Sequence, residues 1–425
     1  MKVSTNSIDW AQALKPGDHV VASHMSSEPS KLLGSLAAQG VDFPLTLDLG
    51  VPFTMAPDAL STNVRLEVMG GMGTARQLAK THAMQVNRLG YRDIVASYRD
   101  GERTADVVLV SLARQADGEL CVGASHGVAL DAARSARTII AEVNARMPAI
   151  CGAPWPSELK PAVLLETDYA LPSPPVREPS EREKAIAEHL APLVPNGACI
   201  EVGIGTMPSA VLQALAGHRH LGIHSGMFTD AMVELLSAGV IDHSQKPKEW
   251  QFACIGGAYG DKSLYDLVAE NSLIRLCHTD ITHGPEILAS LPMFTAINSA
   301  IEVDLLGQAN AETSAGPGGA RRQPGGIGGL QDFANGGLAS EGGRSVIALS
   351  ARTRDDESGH ARIVPRLTHE VTLDEQQADT VVTEYGVAEL RGLSRQARVE
   401  QMIQVAHPND RDALRYQANA MGLTV

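Results

Sequence analysis

No run of apolar residues in this chain is long enough to span a bilayer. Its opening segment, Met1 to Val21, has no apolar signal core, so a soluble cytoplasmic enzyme is expected. Cysteine is scarce. Cys121, Cys151, Cys199, Cys254 and Cys277 stand far apart with no CxxC pair, which indicates neither a disulfide framework nor a zinc site. Histidines are scattered; His218, His220 and His224 come nearest to a cluster, no HExxH spacing occurs, and no metal is expected. A complete GxGxxG is missing as well, which disfavours a nicotinamide oxidoreductase. Positive charge is in deficit: the net charge of −14 argues against nucleic acid or an anionic membrane as the main partner.

What is present describes a large globular enzyme. At 425 residues, with 44% hydrophobic and 20% charged, the chain is too long for one ordinary core and too apolar for disorder. The segment Leu171 to Glu183 holds four prolines, which fit neither a helix interior nor a central strand. Ser180 and Glu183 then form a capping-box pattern ahead of a helix. The boundary therefore falls here, with one domain over 1–176 and another over 177–425. In each, Val/Ile/Leu-rich runs alternate with helical spacing: strands over 106–113, 138–144, 162–168 and 198–205, helices over 129–140 and from about Pro208. That alternation predicts α/β domains with mostly parallel sheets.

The run AINSAIEVDLLGQANAET, Ala296 to Thr313, sets Glu302 inside an apolar stretch that alternates like a strand. Ile301, Val303 and Leu305 are expected on one face, Glu302, Asp304 and Leu306 on the other. A Glu there is costly unless paired or used, and a poised carboxylate can itself attack an acyl group. Asp304 reads as a structural neighbour, Glu312 as a weaker rival. In VGIGTMP, a strand, Gly203-x-Gly205 and a helix start present free N–H groups to an anion or a close-packed ligand, but with neither a third glycine nor a Walker lysine a plain tight turn is the favoured reading of these residues alone. Glycine is dense again between Asn310 and Gly343, including Gly325, Gly326, Gly328 and Gly329, and an ordered binding loop is favoured there.

These runs closely resemble the acetyl-CoA hydrolase/transferase family, which includes 4-hydroxybutyrate, butyrate, succinate:acetate and itaconate-type CoA-transferases. The resemblance extends over residues 136–148, 177–198, 202–215, 220–230, 325–333, 361–365 and 381–394. It implies two similar open domains with the active site between them, a homo-oligomer (a dimer), and no permanently bound cofactor, coenzyme A being a substrate beside a small carboxylic acid. It implies Glu302 as the nucleophile that forms a glutamyl-CoA thioester and Gly386 as an oxyanion donor. Gly203, Gly205, Gly326, Gly328 and Gly329 would line CoA, with Arg321 and Arg322 near its phosphates. Met25, His24 and Arg65 are further candidates for the acyl pocket. Hydrolysis on the same scaffold, or acyl-CoA binding without catalysis, are the alternatives. Three departures stand out: Ser225-Gly226 where relatives commonly carry Thr-Glu, Cys277-His278 where they carry Arg-Pro, and 350–365 in place of a small-residue pattern.

Overall fold

A computed structural model describes residues 8–55, 60–175, 177–315, 321–354 and 359–423. Parts of the glycine-dense run (316–320) and of the 350–365 segment (355–358) lie outside the described residues. The first sheet is built from β1 (His19–Ala22), β2 (Leu45–Asp48), β3 (Val64–Val68), β4 (Met84–Val86), β5 (Val107–Arg114), β6 (Leu120–Val122), β7 (Thr138–Asn144) and β8 (Val163–Thr167). Its order is β4-β3-β2-β1-β5-β7-β8, parallel throughout, with β6 folded back antiparallel on β5. β5 shows why: it is buried at every position but Arg114, as a strand covered on both faces by crossover connections must be.

The second half repeats the plan. β9 (Cys199–Val202), β10 (Gly222–Ser225), β11 (Ala253–Ile255), β12 (Ile274–Leu276) and β13 (Thr295–Asn298) come first in the chain. The short β14 (Glu302–Asp304), β15 (Ala309–Asn310), β16 (Ser314–Ala315) and β17 (Arg321–Arg322) follow, then β18 (Arg344–Ala348), β19 (Ile363–Val364), β20 (Thr380–Thr383) and β21 (Gly386–Glu389). The sheet order is β12-β11-β10-β9-β13-β18-β20-β21, while β15-β14-β19 form a small sheet of their own. In both halves the first strand lies centrally, and the chain winds to one side of it before crossing to the other. That makes a topological switch point at β1/β5 and another at β9/β13, where open α/β sheets take their ligands.

Local signals account for most boundaries. Ser180 and Glu183 do form the capping box of the helix Glu181–Leu190. The helix after β9 starts at Thr206, so Pro208 falls in its first turn, where a missing N–H costs nothing. The helix expected over 129–140 stops at Ala133, because Thr138-Ile139-Ile140 is claimed by β7, whose β-branched residues suit a strand.

The halves meet through loops and through the helix Tyr91–Arg99, which touches Thr279–Thr282 of the second half. The Gly71 N–H donates to the Gly325 carbonyl at 3.0 Å, Tyr91 to Gly328 at 2.8 Å, His126 to Gly256 at 2.9 Å, and Ala258 to Ala124 at 2.7 Å. Arg88 bonds Glu312, and Arg92 bonds Asp332, across the same seam. A single apolar cluster, with Val21, Val110 and Phe228 among its members, runs through both halves.

Backbone can approach this closely only where side chains are missing. A Cβ on Gly71 would stand 1.8 Å from the Gln323 carbonyl oxygen, and one on Gly326 2.2 Å from that of Met69. Gly71→Ala should therefore lower stability by about 1–3 kcal/mol through overpacking. Gly34→Ala, in the exposed helix Ser30–Gln39 with open space around it, should instead raise it by about 0.5–1 kcal/mol. Chemical denaturation of the two variants checks this, and a Gly71 variant as stable as the native chain would remove the packing account.

Candidate active site

Gly203 follows β9 at the switch point. It is half-buried, and a Cβ there would meet nothing within 4 Å. Gly205, at φ +129°, precedes the helix Thr206–Ala214, whose first N–H groups open on the same loop. Register pairs Ile297 with Val202, so Asn298 ends β13 directly beside this turn. Four residues further on, Glu302 begins β14.

β14 is only three residues long, and its burial does not alternate: Val303, Asp304 and Leu305 are all buried. Asp304 turns inward because its carboxylate accepts the N–H groups of Leu306 and Gln308, each at 3.0 Å, which shapes the turn at Gly307. The structural part expected of Asp304 is thus its observed one. Glu302 is half-buried, and its carboxylate has no hydrogen-bond partner among the described residues. Arg362 lies close. Its guanidinium donates to the carbonyls of Ile301 (2.8 Å) and Ala300 (2.7 Å) and so pins the loop just ahead of Glu302. Burial lowers the Arg362 pKa, while the carboxylates of Glu384 and Glu302 oppose that shift. Glu384 accepts from the Ala351 N–H at 2.8 Å.

Glu312 is occupied elsewhere. It is 1% exposed and accepts from Arg88 Nε at 3.0 Å and Thr372 Oγ1 at 3.1 Å, which ties the halves together. Arg321 is likewise paired, with Glu370. Arg65 lies exposed on β3, bonded to Gln85.

The glycine loop divides by function. Gly325 and Gly326 are packed backbone against Ala311 and Met69. Gly329 has His283 Nε2 and Phe333 where a Cβ would stand, whereas Gly328, at φ +54°, faces open space. Gly386, at φ +133°, opens β21 in a two-residue hairpin opposite Thr383 and also faces open space. Packing or backbone conformation thus demands glycine at 326, 328, 329 and 386 whether or not a ligand contacts them.

Near Gly328 the two halves contribute a cluster that sequence reading largely missed. His283, buried, packs at a tilt against Phe333 (4.4 Å between ring centres) and lies 5.4 Å from Tyr91, whose hydroxyl is 3.1 Å from His24 Nε2. Burial holds His283 at a pKa of about 3 and His24 at about 4, so both rings are neutral. Met25 beside His24 takes φ +55°, rare for a side-chain-bearing residue. Gly226 sits past the end of β10, and a Cβ there would face Phe333 at 3.5 Å and His283 at 3.9 Å. The carboxylate missing from this position would thus have stood among these rings. Away from the seam, His19, Asp48 and Glu67 come within reach of one cation, but Arg103 already binds Glu67.

Residues 260–418 match the model of the acetyl-CoA hydrolase/transferase C-terminal domain. The 4-hydroxybutyrate coenzyme A transferase of Clostridium kluyveri is 29% identical over 403 residues, covering 93% of this chain and 92% of that protein. A succinyl-CoA:acetate/propanoyl-CoA:succinate CoA transferase of Fasciola hepatica is 30% identical, over 78% of this chain and 70% of its own length. An acetyl-CoA hydrolase of Saccharomyces cerevisiae is 30% identical over 59% of this chain and 48% of its own length. The crystal structure of RipA from Yersinia pestis superposes with a TM-score of 0.86 at 27% identity, over 97% of this chain and 96% of that one. With the same paired sheets and full-length likeness to CoA-transferases, this chain belongs to the acetyl-CoA hydrolase/transferase family.

Proposed function

We propose that the chain is a CoA-transferase moving CoA between an acyl-CoA and a small carboxylate through a glutamyl-CoA thioester on Glu302. The observation that carries this reading is a half-buried carboxylate without a hydrogen-bond partner among the described residues, close to a switch point and next to a loop pinned by Arg362. The Glu302 carboxylate attacks the thioester carbonyl, giving a mixed anhydride and CoA thiolate. The thiolate attacks the glutamyl carbonyl, leaving glutamyl-CoA and releasing the first acid. The acceptor carboxylate then attacks glutamyl-CoA, and the expelled thiolate takes the new acyl group and restores Glu302. N–H groups of the Gly203–Thr206 turn meet the CoA ligand, and Gly386 is the proposed oxyanion donor.

Gly226 favours a second reading. The resembling family commonly carries a glutamate where this chain has Gly226, a position whose Cβ would face Phe333 and His283. Direct attack by water or by a bound acid, with no covalent enzyme intermediate, is the competing course.

Three measurements separate these. Under the first reading, acyl-CoA without acceptor labels Glu302, as borohydride reduction and peptide mass spectrometry would reveal. Initial rates with two substrates give parallel double-reciprocal lines, and Glu302→Gln loses at least about three orders of magnitude in rate. Intersecting lines together with an active Glu302→Gln would establish the second reading instead.

Gly203 provides the cleanest test of the loop, since its backbone is ordinary and its surroundings are open. Gly203→Ala should leave the melting temperature unchanged and raise KM for acyl-CoA. A variant with native kinetics would exclude close ligand approach at this turn.

A further inference from the structure

Glu201 has no part in the chemistry above, although it sits deep in the second sheet at 3% exposure. On β9, Ile200 and Val202 face the large apolar cluster, while Cys199 and Glu201 face the other layer. β13 places Ala296 opposite Glu201, and Asn298 two residues on reaches the same face. Asn298 Nδ2 donates to Glu201 Oε2 at 2.8 Å. The rest of the Asn298 amide has no partner among the described residues, and it stands beside Gly203 at the half-open carboxyl edge.

Charge is absent from this neighbourhood. β10 brings His224, kept neutral by burial, and β13 brings no ionisable group. Lys246, which reaches Cys199 on this face, is bonded to the carbonyls of Ile223 and Phe252. On the covering helices, Glu286 is exposed and Asp332 bonds Arg92, while His283 between them is neutral. Burial therefore dominates and pushes the Glu201 carboxyl up to about 8, against weaker opposing bonds from Asn298 and the Ile297 main chain.

We propose that Glu201 is a positioning residue: as a neutral acid it holds the Asn298 amide at the mouth of the Gly203 turn for the acyl-CoA thioester, and its ionisation stops turnover. The reason is electrostatic. A carboxylate in this dry layer would oppose the negative charge that develops on the thioester oxygen and sulfur. The inference rests on the acyl-CoA reading of the site.

The sign of the pH effect follows from linkage. Because the folded pKa lies above the ordinary carboxyl value, the folded chain holds an extra proton between about pH 4.5 and 8. The contribution of Glu201 to stability therefore declines as pH rises through that window and is level above it. Glu201→Gln keeps the acceptor oxygen and cannot ionise.

The test compares the native chain with Glu201→Gln from about pH 6 to 10, following kcat, KM and thermal unfolding. Native kcat should fall about tenfold per unit above pH 8, with KM nearly constant. Glu201→Gln should keep its neutral-pH rate, lose that alkaline limb, and melt increasingly above the native chain as pH rises to 8. An alkaline limb of the same shape in Glu201→Gln overturns the role. If that variant does not fold, Asn298→Ala decides: without its donor the carboxyl should titrate higher, moving the inflection of native stability upward, and an unmoved inflection overturns the proposal. Absence of turnover with every acyl-CoA would overturn the transferase reading and this role together. An unchanged limb overturns the role alone.

Discussion

Everything in this molecule depends on two parallel sheets meeting through the loops beyond their strands. Helical crossovers occupy the faces of each sheet, so the strand ends are where one half can reach the other. Those loops carry main-chain N–H and C=O groups that need partners once water is expelled, and they find them across the seam, from Gly71 to Gly325 and from His126 to Gly256. Glycine is required at several of these crossings because no Cβ fits between the two backbones.

The chain is acidic, yet CoA is an anion, and the structure narrows how the two can be reconciled. Several arginines near the seam are engaged: Arg88 with Glu312, Arg92 with Asp332, Arg321 with Glu370. Arg362 spends its fork on the carbonyls of Ala300 and Ile301. Under the proposed function, main-chain donors at the start of the helix Thr206–Ala214 are the recognition element, since a helix N-terminus favours an anion without any formal charge on the protein.

Sequence disclosed the parts of this fold that are written locally. β5 and β7 are mostly β-branched or apolar, and the capping box at Ser180 is complete within four residues. Long-range partners were not legible. Glu201 in CIEVG reads as a polar residue on an alternating strand, and only β13, nearly a hundred residues later, supplies the amide that meets it. Gly326 and Gly203 look alike as letters, but one is crowded by Met69 and the other is open. Asp304 misled for a related reason: its inward turn is set by the N–H groups of Leu306 and Gln308, a local capping preference that overrides the strand period.

The main-chain crossings of the seam depend on glycine, while the ion pairs and the apolar cluster beside them depend on side chains. Met25 and His283 make none of those main-chain crossings, whereas Gly71 and Gly326 cannot gain a Cβ without parting the two backbones. Chains that share barely a quarter of their residues with this one can still superpose on it closely, as RipA does. Under the proposed function, a change of substrate would then ask for changed side chains beside the joint and not for a changed joint.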